Sequence, residues 1–271
     1  MAHRRDFRGK AVVVTGAASG IGLALARRFG QAGSTMAMLD INKDALTEAS
    51  SRLANMGIRT MHVECDVSDP HCVAGAMEEV IKDLGGVDVL INNAGISARA
   101  AFAATRLEVF HRVMGVNFFG ALYCTKACLE SLLERKGLVI TISSLAGFSP
   151  LLGRSAYSAS KHALHGLFDT LRSEFRRTGL DFLIVCPGFT ATAIGISALD
   201  GDGAITRHPQ STAGRPSKPE HVADQIFRAA EKNRKLLILS RIGHLGRFIN
   251  KISPSLYEYL MIKSMRSELE R

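Results

Sequence analysis

Short, continuous apolar runs recur along the chain, separated by longer stretches in which apolar residues return every three or four positions. Residues 10–15, 34–39, 58–64, 87–91, 138–142, 180–186 and 236–239 are runs of strand length, several rich in Val and Ile. Helical spacing fills residues 42–56, 68–84, 105–133, 155–177 and 220–232, and a helix-like stretch begins at Leu23. Asn42 stands where a helix N-cap is needed. Strictly alternating strands and helices predict an α/β fold, with a mostly parallel seven-stranded sheet covered by helices on both faces. Ligands of such sheets bind beyond the carboxyl ends of the strands. Asp40, Asn92, Ser144 and Pro187 all fall at those ends.

Two stretches break the pattern. Residues 193–219 are rich in Gly, Ser, Thr, Pro and charge and have no clean period, so a mobile loop over the substrate, about 190–218, is expected. Residues 242–271 are helical again, with a break predicted at Pro254. Arg241, Arg247, Lys251, Lys263 and Arg266 alternate there with apolar residues. A basic amphipathic segment of this kind packs on the body, lies on an anionic membrane, caps a partner subunit or roofs an apolar pocket. The expected organisation is one unit over 1–241 and a helical extension over 242–271.

Composition narrows the function classes. The chain has 271 residues, of which 46% are hydrophobic, enough for a full core. Its net charge is +9, from 34 basic and 25 acidic residues. Such an excess attracts phosphates, acidic carriers or anionic membranes. No nucleic-acid motif accompanies it, so nucleic acid is not an expected partner. No apolar run approaches a membrane span, and the N-terminal residues lack the apolar core of a signal peptide. A cytoplasmic protein is expected, with membrane association through the C-terminal segment as the variant. The five cysteines are scattered without a CxxC pair, so neither a disulfide framework nor a metal site is expected.

The chemistry-bearing residues follow the strands. The first strand runs into Gly16-Ala-Ala-Ser-Gly20-Ile-Gly22 and then a helix, the context a phosphate cradle requires. Gly16 permits the turn, Gly20 lets backbone amides reach a pyrophosphate, and Gly22 lets the helix pack on the strand. Asp40, at the end of the second strand, is placed to accept hydrogen bonds from a ribose 2′-hydroxyl and to repel a 2′-phosphate. Tyr157 and Lys161 are four residues apart on one helix face. An ammonium beside a phenol favours the phenolate and is expected to lower its pKa toward working pH. That suits a proton donor and acceptor for a carbonyl/alcohol pair.

Ser144 lies thirteen residues before Tyr157 at a strand end. This spacing, with Thr15-Gly-x-x-x-Gly-x-Gly22, Asn92-Asn93-Ala94-Gly95 and Pro187-Gly188 followed by Thr190 and Thr192, resembles the short-chain dehydrogenase/reductase family over roughly residues 8–240. The resemblance implies a Rossmann-type doubly wound sheet and an oxidoreductase that passes a hydride between nicotinamide and an alcohol or carbonyl. Tyr157 is then the acid/base, Lys161 its activator and ribose ligand, Ser144 the partner of the reacting oxygen, and Asn117 the holder of a water in the proton relay. Gly16, Ser19, Gly20, Ile21 and Gly22 are implied at the phosphates, and Asp66 and Val67 beside adenine. Asn93, Ala94 and Gly95 bring backbone near the cofactor, and Pro187 and Gly188 flank the nicotinamide, with either Thr190 or Thr192 making the polar contact. Family members that take the phosphorylated cofactor usually carry Arg or Lys near positions 19 and 41. Ser19 and Ile41 therefore favour NAD(H) over NADP(H). Homodimers or tetramers paired through the helices of Asn117 and Tyr157 are implied, with no metal. The C-terminal extension suggests an apolar, lipid- or steroid-like substrate. The alternatives are an NADPH-dependent 3-oxoacyl-carrier-protein reductase, which suits the basic surface, and a non-catalytic dinucleotide sensor.

Overall fold

A computed structural model of the chain describes residues 4–208 and 216–268. Residues 209–215 of the expected loop and 269–271 of the extension lie outside the described residues. Seven strands form one sheet: β1 (Ala11–Thr15), β2 (Thr35–Asp40), β3 (Thr60–Glu64), β4 (Val89–Asn92), β5 (Leu138–Ile142), β6 (Asp181–Cys186) and β7 (Leu236–Ile238). Their order is β3-β2-β1-β4-β5-β6-β7 and every pairing is parallel. Strand order reverses between β1 and β4, which opens a crevice at their carboxyl ends.

The central strands are buried on both faces, which is why they read as near-continuous apolar runs, while the edge strands β3 and β7 are only partly buried. Val12 and Val14 point to one face, with α1 (Gly20–Gln31), α2 (Lys43–Asn55) and α8 (Pro219–Glu231). Val13 points to the other, with α3 (Pro70–Leu84), α5 (Gly120–Ala127) and α7 (Ser155–Glu174). On the first face Phe7, Phe29 and Phe227 meet with ring centroids 4.9 to 5.2 Å apart.

The expected cap holds. The Asn42 side chain accepts from the Ala45 N–H at 3.1 Å and starts α2. Asp69 caps α3, accepting from His71 N–H at 2.8 Å ahead of Pro70.

The single helix expected over 105–133 is instead α4 (Leu107–Met114), a π-turn at Gly115–Phe119, α5, and α6 (Leu129–Glu134). Two causes are visible. Gly120 lies so close to Val67 that an added Cβ would stand 2.8 Å from its Cγ2. The Thr125 hydroxyl donates to the Ala121 carbonyl at 2.7 Å, a back-bond that bends helices.

The expected loop carries local order: a turn at Ala193–Gly195, and bridges Thr190–Ser217, Ala98–Leu199 and Leu199–Ile205. The extension breaks at Pro254 as the pattern predicts, into α9 (Arg241–Ile252) and α10 (Pro254–Met265), followed by a short turn at Arg266–Glu268. It packs over the segment after β5. Asn250 donates to the Phe148 carbonyl at 3.2 Å and the Tyr257 hydroxyl to the Pro150 carbonyl at 3.0 Å. Among the described residues no helix is long and apolar enough to cross a membrane.

Candidate active site

A cavity of about 740 Å³ runs along the carboxyl ends of the strands. Its floor is the glycine turn after β1. Gly16 has φ +65°, and a Cβ on it would stand 2.9 Å from Ala94 Cα. The Thr15 hydroxyl accepts from the backbone N–H of Asn93 at 3.1 Å and of Ala94 at 3.0 Å. The Asn93 amide returns bonds to the carbonyls of Thr15 and Gly16 at 2.9 and 3.1 Å. The Asn-Asn-Ala-Gly segment thus locks β4 to β1 and leaves Ala94 and Gly95 on the cavity wall.

Ser19, Gly20 and Ile21 line the cavity where α1 begins, and Ser19 makes no side-chain cap bond. The backbone amides there present partial positive charge to an anion. Gly22 is the exception among the implied cofactor contacts: it is buried under the turn, and a Cβ would meet the Gly16 carbonyl oxygen and the Asn93 amide. It shapes the cradle by packing.

At one end Asp40 accepts from Ala18 N–H and Asn42 N–H, each at 3.0 Å. Ile41, Asp66 and Val67 line the wall beside it. The Asp66 carboxylate accepts from the Ser68 backbone at 2.9 Å and hydroxyl at 2.7 Å. The basic side chains on the cavity wall, Arg112, Arg154 and Lys161, are not among these residues. Glycines whose Cβ would crowd the turn, an open helix N-terminus and a carboxylate, Asp40, with no basic side chain beside it on the wall fit a dinucleotide.

At the other end are Ser144, Tyr157 and Lys161. Ser144 accepts from Ala146 N–H at 3.2 Å and starts the turn at Leu145–Gly147. Tyr157 is in the first turn of α7. Burial raises its pKa, while hydrogen bonding to Ser144 and the Arg154 charge oppose the rise. The expected downward pull by Lys161 does not operate. The Lys161 ammonium is 5.7 Å from the Tyr157 ring centroid, donates to the Ile142 carbonyl at 2.9 Å, and is itself lowered to about 8 by burial.

Asn117, in the π-turn, is buried behind this wall. Its carbonyl accepts from Ile96 N–H at 2.8 Å, and its amide donates to the Ile96 carbonyl at 3.0 Å and the Ser160 hydroxyl at 2.9 Å. Gly95 leaves room in front of it: a Cβ there would be 3.1 Å from Asn117 Oδ1 and 3.6 Å from Lys161 Nζ. Pro187, Gly188, Thr190 and Thr192 also line the cavity. The Thr190 hydroxyl donates to the Gly188 carbonyl at 3.3 Å, while the Thr192 methyl packs towards Gly20, 3.2 Å from where a Cβ would stand.

Sequence reasoning did not find Arg154, the residue before α7, nor Ser97, to which its Nη1 donates at 3.4 Å. The position of Arg154, three residues before Tyr157, was the available signal. Nor did it identify the roof side chains Tyr257, Met261 and Met265.

Comparisons with known proteins agree with this geometry. The family model described as short chain dehydrogenase matches residues 10–202. A bovine protein, dehydrogenase/reductase SDR family member 7B, is 38% identical over 98% of this chain and 84% of its own. An alcohol dehydrogenase from Thermococcus sibiricus, complexed with 5-hydroxy-NADP, superposes with a TM-score of 0.75 at 26% identity, covering 85% of this chain and 95% of that one. A short-chain dehydrogenase/reductase from Burkholderia phymatum in complex with NAD shares the fold, with a TM-score of 0.84 at 23% identity over 93% of this chain and 96% of that one. Architecture, motif geometry and kinship converge, and the chain belongs to the short-chain dehydrogenase/reductase family of oxidoreductases.

Proposed function

We propose that the chain is an NAD(H)-dependent dehydrogenase or reductase acting on an alcohol/carbonyl substrate with a large apolar part. The observation that carries this reading is one continuous cavity with Asp40 at one end and the Ser144–Tyr157 pair at the other. Asp40 would hold the adenosine ribose, and the glycine turn the phosphates. Backbone at Asn93 to Gly95 and at Pro187 to Gly188 would flank the rest of the dinucleotide, with Thr190 or Thr192 as polar contact. When bound, the nicotinamide supplies or accepts the reducing equivalents.

The side chains then manage one proton. A phenol whose pKa is raised by burial stays protonated at neutral pH and can donate to a developing alkoxide. Ser144 would donate to the same oxygen and align it. Lys161, poised at about 8, can exchange a proton near working pH. Asn117 would hold the wall through Ile96 and Ser160, its carbonyl retaining a lone pair for a relay water. The apolar roof would exclude water from the reacting oxygen.

Two partner proposals accompany this. Phe119 is exposed on the α4–α5 face, stacked on Tyr123 at 5.9 Å, which supports pairing of subunits through these helices and α7. Phe248 and Ile252 on α9 are exposed beside Arg247 and Lys251, which supports contact of a cytoplasmic protein with an anionic membrane surface.

Turnover of a panel of secondary alcohols and ketones, with NADH and NADPH in parallel and Tyr157→Phe as control, tests the reading. NADH-linked turnover abolished by Tyr157→Phe supports it, and full activity in that variant overturns it. Tighter binding of NADPH than NADH would favour the carrier-protein reductase, for which the +9 net charge is the supporting observation.

A further inference from the structure

We propose that the substrate end of the cavity seats an anionic group, a carboxylate or a phosphate, on Arg154, with the rest of the substrate lying under α9 and α10. The inference deepens the reading of Tyr157 as acid/base by naming what the substrate carries beside its reacting oxygen.

Arg154 is on the cavity wall and only 4% exposed. Its Nη1 donates to Ser97. Its Nε and Nη2 are shielded from solvent and have no hydrogen-bond partner among the described residues. Those two nitrogens form one edge of the guanidinium, the edge that grips a carboxylate or phosphate through two parallel bonds. A buried donor left without a partner costs about 1–3 kcal/mol, and folded proteins rarely leave two on one side chain without a use for them. Arg154 is also the cation nearest in sequence to the acid/base, three residues before Tyr157, and its charge acts on that phenol.

The surrounding charges favour an anion. Arg99, 7% exposed, donates to the His208 carbonyl at 2.6 Å and its charge acts on Arg154. Arg112 is on the same cavity wall. One carboxylate opposes them: Glu268, in the turn after α10, is 4% exposed and acts on Arg154 through its charge. It does not bond Nε or Nη2. The same cavity is lined by Leu151, Ile249, Leu260, Met261 and Met265, which suit a hydrocarbon tail. The ligand class is therefore an amphipathic oxo- or hydroxy-compound whose acidic group lies close to the carbon that reacts.

The test is calorimetric titration of the full chain, without cofactor, with decanoate, decyl phosphate and decanol. The two acids are expected to bind at least about tenfold tighter than the alcohol, the difference one charge-assisted pair of bonds supplies; whichever acid binds tighter identifies the group. Arg154→Gln should abolish the preference and Arg154→Lys should keep part of it. Glu268→Gln, which removes the opposing carboxylate, should tighten the acids several-fold and leave decanol unchanged. Equal binding of acids and alcohol by the native chain overturns the proposal, as does a preference that survives Arg154→Gln. Should Arg154→Gln not fold, unchanged acid affinity in both Arg154→Lys and Glu268→Gln decides against it. Failure here leaves turnover of neutral ketones untouched, whereas loss of the acid/base role would leave these binding constants intact.

Discussion

The Lys161 ammonium donates to the Ile142 carbonyl oxygen at 2.9 Å and so ties the second turn of α7 to the last residue of β5. The bond satisfies a buried charge with backbone and holds it back from the phenol it was expected to activate. Burial then works on both groups in the sense that disfavours charge: Lys161 goes down and Tyr157 goes up.

Stability should record this. A lysine lowered from 10.5 to about 8 by folding gives a contribution that is complete above the unfolded pKa and lost as pH falls through 8. Lys161→Met removes that penalty. The variant's advantage over the native chain should be largest at pH 7, on the order of 3 kcal/mol at most, and shrink towards pH 10. Urea unfolding of both proteins at several pH values measures it, and a pH-independent difference would refute it.

Buried thiols act in the opposite direction. Cys128 and Cys186 are pushed up to about 12 by burial. Groups raised by folding lend stability below their unfolded pKa, and it is lost as pH rises towards the folded value. Both native chain and Lys161→Met should therefore lose stability between pH 9 and 12, and Cys128→Ala should lose less of it.

Tyr157→Phe should lower kcat by about 10²- to 10⁴-fold, the usual worth of general acid/base catalysis, and leave the NADH dissociation constant within a few-fold. Stopped-flow turnover and fluorescence titration separate the two effects. An equal loss in both would assign Tyr157 to binding.

Two glycine substitutions should have opposite signs. At Gly22 a Cβ would strike the Gly16 carbonyl and the Asn93 amide, so Gly22→Ala should cost about 1–3 kcal/mol and weaken dinucleotide binding. Gly75, inside α3, has nothing within 4 Å of the added carbon, so Gly75→Ala should stabilise by about 0.4–1 kcal/mol. Thermal unfolding of both variants tests the contrast.

Asp40→Ala should weaken NADH binding by about 10- to 100-fold, the worth of hydrogen bonds to a charged acceptor, and affect NADPH less. Parallel titrations of the two cofactors measure the ratio, and an unchanged ratio removes Asp40 as the ribose reader.

Much of this architecture was legible before folding was considered. The central strands are runs of apolar residues buried on both faces, the edge strands β3 and β7 are only partly buried, and the turn after β1 begins at Gly16, whose positive φ favours glycine. The order of such runs carries the topology, since parallel strands need crossovers. The stretch 105–133 misled because its spacing is helical throughout. What divides it, the contact of Gly120 with Val67 and the bond from Thr125 to Ala121, includes a partner distant in sequence.

By itself the amino-acid sequence determined the sheet, the glycine cradle, the break at Pro254 and the candidates Ser144, Tyr157 and Lys161, because propensity, side-chain period and spacing are local properties. Tertiary structure alone decided that Lys161 turns to Ile142, that Asn117 bonds Ile96 and Ser160, and that the buried Glu268 charge comes to act on Arg154 at the cavity wall. Desolvation and charge depend on which distant segments close over a residue, and no local pattern encodes that.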